Sequence, residues 1–90
     1  MASPEARIKA IANELEGRLG NDSGVPRNIR KGATDAVNYL MDTKKPIDLR
    51  VSNAINVLAD LSNDPNIPME SWSTIMQILS DLEAILKDVI

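Results

Sequence analysis

Asn21-Asp22 and Asn63-Asp64 are, by type, the residues of this chain best suited to hold something. In each pair two oxygen-bearing side chains stand together, followed by an aliphatic residue and a proline, in GNDSGVPRNIR (Gly20 to Arg30) and again in SNDPNIPMESW (Ser62 to Trp72). Oxygen donors of this kind ligate hard cations such as calcium. An EF-hand loop, however, needs acidic or amide residues at alternate positions, a central Gly and a terminal Glu, and neither stretch supplies them. The other chemistry open to them is local: Asn and Asp side chains accept from nearby backbone N–H groups where one helix ends and the next begins. Gly20 and Asn63 then suit the left-handed position just beyond a helix end. We therefore expect Asn21, Asp22, Pro26, Asn63, Asp64 and Pro68 to be structural turn residues, with no metal bound.

Catalytic chemistry finds few candidates. The chain has no His and no Cys, which removes the commonest general base near neutral pH, the usual zinc ligands and any disulfide. Ser71, Ser73, Thr74 and Ser80 offer hydroxyls, but no base is placed to activate them. No glycine-rich phosphate loop occurs. Gly17-Arg18-Leu19-Gly20 matches the GXXG of KH domains, a short pattern that belongs to a fold with strands this sequence does not offer. Neither catalytic residues nor a cofactor is expected, and the reading is that the protein is not an enzyme.

Charge suggests a second possibility. The total is -3, but residues 26–50 are net positive and residues 51–90 net negative, with Lys87 the one base in the latter. Arg27, Arg30, Lys31, Lys44, Lys45 and Arg50 form a candidate basic patch for a polyanion, and a nucleic-acid-associated factor is the runner-up function. Tyr39 alone is available for stacking there, and the acidic carboxy-terminal segment would repel phosphates, so nucleic acid ranks second to a protein partner.

The elements that position these residues are helices. Pro4, Pro26, Pro46 and Pro68 each precede an apolar pattern of helical period, and proline is favoured in the first turn because its missing N–H would have no partner there. Ser3 is a plausible N-cap for the first helix, and Glu5 suits the positive end of its dipole. Small residues in the second helix (Gly32, Ala33, Ala36) predict close helix–helix approach. The apolar stripes of the third and fourth helices cover about half the circumference, wider than a surface helix needs. Loops of about four to six residues make neighbours antiparallel. The expected fold is an all-α, four-helix antiparallel bundle in one domain, residues 1–90.

An offset of 42 residues aligns Pro4 with Pro46, Leu19 with Leu61, Asn21-Asp22 with Asn63-Asp64, and Pro26 with Pro68. The chain reads as one helical hairpin written twice, over about residues 4–41 and 46–89. That period lies in the range of HEAT and armadillo repeats, yet a solenoid needs about three repeats to bury a continuous core. Two hairpins closing on each other make a bundle instead. The surplus apolar width on the later helices points to association: Leu49, Ile78 and Ile85 are the candidate self-association surface, and a homodimer is the first expectation. No segment is apolar for long enough to span a bilayer, and the amino-terminus has no signal-peptide core, so a cytoplasmic protein without a membrane partner is expected.

NDSGVPRNIRKGA and LSNDPNIP, at this spacing in so short a chain, resemble the small archaeal proteins of uncharacterised protein family UPF0147. The resemblance covers nearly the whole chain. It implies an all-helical, bundle-like fold and no activity, and it marks Asn21, Asp22, Pro26, Arg27, Arg30, Asn63, Asp64 and Pro68 as motif residues. After the second of the two prolines the family often shows a basic residue where this chain has Trp72.

Overall fold

The structure, a computed structural model, describes residues 2–90. Four helices follow one another: α1 (Pro4–Leu15), α2 (Arg27–Leu40), α3 (Ile47–Ser62) and α4 (Met69–Val89). No strand occurs among the described residues. In α1 the Ser3 hydroxyl accepts from the Ala6 N–H at 3.2 Å, with Pro4 at the first helical position. The later prolines stand one residue earlier: Pro26, Pro46 and Pro68 are themselves the N-caps of α2, α3 and α4.

Each helix joins the next through a turn built on an aspartate. The Oδ1 of Asp22 accepts from the Gly24 N–H at 2.9 Å, that of Asp42 from Lys44 at 3.3 Å and that of Asp64 from Asn66 at 2.8 Å. In each case the Asp carbonyl also accepts from the N–H three residues on, and a proline follows one residue later. The expected left-handed exits do not occur. No described residue has positive φ, and Asn63 sits at φ -93°, ψ 2°. An Asp side chain that closes the turn makes a left-handed residue unnecessary.

Past Leu15 the first helix widens into a single π turn, Glu16–Gly20, closed by the Asn21 N–H on the Glu16 carbonyl at 2.8 Å.

The helices form a ring in which α1 touches α2 and α4, and α3 touches the same two. α2 and α4 therefore stand diagonally. The long axis of the molecule is 34 Å, close to the roughly 31 Å that the 21 residues of α4 span at 1.5 Å each. Ile8, Leu15, Ile29, Leu40, Leu58, Ile75 and Leu82 are among the fully buried side chains between the helices. At Gly32 the approach of α2 and α3 is so close that a Cβ would meet Leu61 at 2.5 Å.

Candidate functional site

Arg50 is the first correction to the expected surface. Instead of joining a basic patch it is buried, with 2% of its side chain exposed. Its Nε and Nη2 donate to the Leu40 carbonyl at 2.9 and 2.6 Å, and Nη1 and Nη2 donate to the Glu5 carboxylate at 2.6 and 3.2 Å. One guanidinium thus closes the end of α2, holds the first turn of α1 and anchors α3. The planar fork allows this where a lysine could not. The hydrogen bond from Arg50, aided by its charge, holds the Glu5 carboxyl below its ordinary value of 4.5, against the opposing effect of desolvation.

The other five bases do not make one face. Arg27, Arg30 and Lys31 lie at the start of α2, where Lys31 pairs with Asp35 at 3.2 Å. Lys44 and Lys45 lie in the turn past its other end. The helix axis between the two groups is about 20 Å long. Two small clusters replace the single patch that the sequence suggested. The Arg30 Nε is buried without a partner, and Asn28 bonds Asp64, which brings a carboxylate to this end of α2.

Ile78 and Ile85 are the second correction. They are core residues, 0% and 1% exposed, not an association surface. The wide stripe of α4 is consumed within the monomer, because α1 packs on one flank and α3 on the other. Leu49 is exposed, at 42%. What α4 turns outward is a different set, Met69 (76%), Trp72 (40%) and Met76 (41%). Placed at 100° per residue they fall within about 60° of one another. Exposed Ser73, Ser80 and Glu83 border them. The i, i+3, i+7 spacing of these three was readable in the sequence; their exclusion from the core was not.

Two of the motif residues, Asp22 and Pro68, line a cleft of about 340 Å³. Asp22, Gly24 and Val25 of the first turn line it together with Pro68, with Glu70, Ser71 and Thr74 of α4, and with Arg18 and Leu19 of the π turn. Arg18 enters no ion pair among the described residues. Ser71 is 4% exposed, and Thr74 donates to the Glu70 carbonyl at 3.1 Å. Sequence reasoning placed Asp22 and Pro68 in separate turns and left Arg18 in a weak motif. The two glycines flanking Arg18 hinted at an irregular helix end, but no local signal brings it to α4.

Among the described residues, no group of three or more His, Cys, Asp or Glu is arranged to hold a metal ion, and no helix is long and apolar enough to cross a membrane.

Comparison with known proteins gives a consistent result. The profile of the uncharacterised protein family UPF0147 matches residues 1–85. A UPF0147 protein of Desulfurococcus amylolyticus is 45% identical over 65 residues, covering 72% of this chain and 71% of its own. One from Saccharolobus solfataricus is 42% identical over 81 residues, 90% of each chain. Two crystal structures share the fold. A protein of unknown function, MMP1188, superposes with a TM-score of 0.87 at 38% identity, over 92% of this chain and 93% of its own. A UPF0147 protein from Thermoplasma acidophilum does so with a TM-score of 0.82 at 31% identity, over 89% and 93%.

Proposed function

Since the chain belongs to the uncharacterised protein family UPF0147, a name that states no activity, we propose a function from geometry: the protein is a non-catalytic binding module that associates with itself through the outer face of α4. The observation that carries this reading is the aligned exposure of Met69, Trp72 and Met76. Trp is the chain's one tryptophan, and such side chains in the middle of an apolar patch dominate binding energy where they are found at interfaces. Methionine flanks it with an adaptable, polarisable surface. The polar border supplied by Ser73, Ser80 and Glu83 is what the rim of an interface needs. A two-fold pairing of α4 with its copy would bury the stripe on both subunits at once. The chain's lack of His and Cys supports binding over catalysis.

Light scattering on a sizing column tests the proposal. A dimer is expected at high protein concentration, and Trp72→Glu and Met76→Glu should each split it, because a charge would be buried in the contact. A monomer at all concentrations, or a dimer indifferent to both changes, would reject it.

A further inference from the structure

We propose that the open cleft on the outer side of α2, at Arg27, Arg30 and Lys31, binds the terminal phosphate dianion of a small phosphorylated molecule. An orphaned nitrogen, a surplus of charge and the spacing of the bases carry this reading.

The Arg30 Nε is the one buried side-chain nitrogen or oxygen without a hydrogen-bond partner among the described residues. An N–H of a charged group left without an acceptor costs more stability than a neutral one. Arg50, the other shielded guanidinium of the bundle, places its Nε on the Leu40 carbonyl. Arg30 lines a cleft of about 460 Å³ together with Arg27, Lys31, Thr34 and Asp35. A phosphate oxygen there supplies the missing acceptor, and two parallel N–H···O bonds are the way a guanidinium holds phosphate best.

Charge at the cleft favours a dianion. Neither Arg27 nor Arg30 enters an ion pair among the described residues. Lys31 pairs with Asp35 at 3.2 Å, but both side chains are exposed, and such a pair contributes little. Three cations against one carboxylate leave a surplus of two positive charges, which matches a phosphomonoester near neutral pH. The first turn of α2 adds the positive end of its dipole. Thr34, exposed at the same cleft, offers a hydroxyl donor.

Spacing separates a compact ligand from a long one. The three bases cover about 6 Å of helix axis. That is the reach of one phosphate group, not of a strand whose charges repeat along its length. Lys44 and Lys45, which a polynucleotide would also need, lie beyond the far end of α2. Since α2 is diagonal to α4, the site is independent of association through Trp72.

The test is titration of the full chain by NMR at about pH 7.5 and constant ionic strength, with inorganic phosphate, methyl phosphate and dimethyl phosphate as probes. The first two are mainly dianions there; the third is a monoanion that reproduces the phosphodiester link of nucleic acid. The expected result is a saturable shift of the Arg30 Nε–H resonance and of the Lys31 and Thr34 amides with the two dianions, at least about tenfold weaker with dimethyl phosphate. Whichever dianion binds more tightly tells an ester from the free ion, and either supports the site. Arg30→Lys keeps the charge but removes the Nε–H, and should weaken methyl phosphate binding by about tenfold. Arg27→Gln should weaken it as well, and Lys44→Gln should not. No saturable shift with either dianion would overturn the proposal. So would dimethyl phosphate binding as tightly as methyl phosphate, which would mark a surface for nucleic-acid backbone. Unchanged binding by Arg30→Lys would overturn it too, because attraction to charge alone would then explain the shifts.

Discussion

At the scale of single residues, Arg50 does the most. It satisfies the Leu40 carbonyl at the end of α2 and pairs with Glu5 on α1. Arg50→Met should lower stability by about 1–3 kcal/mol, because the buried carbonyl loses its partner, and Arg50→Lys should recover little of it, lacking the fork. Urea denaturation midpoints measure both. The Glu5 pair also sets a pH dependence. Its carboxyl titrates below 4.5 in the folded protein and near its ordinary value unfolded, so the unfolded state takes up the proton first as pH falls. The contribution is present above the ordinary value and is lost as pH drops through the depressed one. Glu5→Gln should therefore remove part of the acid sensitivity seen in melts below pH 4.5, and an unchanged acid profile would show the pair to be inert. Nothing about Arg50 in the linear sequence separates it from the other five bases. Its burial depends on where the ends of α1 and α2 come to rest.

At the scale of elements, the helix starts were legible because they are local: a proline, a cap and a following apolar period all act within a few residues. The turn was legible as well, and it occurs three times instead of twice. Asp22, Asp42 and Asp64 each stand four residues before a proline, and the structure gives all three the same side-chain bond. Asp64→Ala should cost about 0.5–1.5 kcal/mol, the net worth of a typical hydrogen bond such as the one it makes to the Asn66 N–H in the turn. Asp64 also holds Asn28, so its loss should loosen the start of α2, visible as faster amide exchange there. Packing between α2 and α3 is set by Gly32. Adding a methyl drives it into Leu61, an overpacking cost of about 1–3 kcal/mol that outweighs the roughly 1 kcal/mol gain in helix propensity. Gly17 has nothing within 4 Å of such a methyl. Gly32→Ala should lower the melting temperature and Gly17→Ala raise it, while Leu61→Ala should partly rescue the Gly32 variant.

At the scale of the whole molecule, the ring of four helices decides which surfaces remain for partners. α2 and α4 are diagonal, so the basic start of α2 and the Met-Trp-Met face of α4 point in different directions. Association through α4 would be apolar, and raising salt should leave the dimer unchanged or strengthen it. Dissociation by salt, followed by sedimentation velocity, would instead show that charge holds the copies together. The close agreement with two crystal structures at 38% and 31% identity fits a fold specified by short-range signals. From sequence alone followed the four helices, their starts to within a residue, two of the three aspartate turns and the bundle, since each rests on neighbours along the chain. Tertiary structure alone decided that Ile78 and Ile85 are core, that Arg50 is internal, and that Arg18 and Ser71 share a cleft. An apolar stripe shows how much surface needs covering, but which edge is covered depends on helices distant in the chain. A charged side chain looks the same in sequence whether it ends in water or on a carbonyl that folding brings within reach.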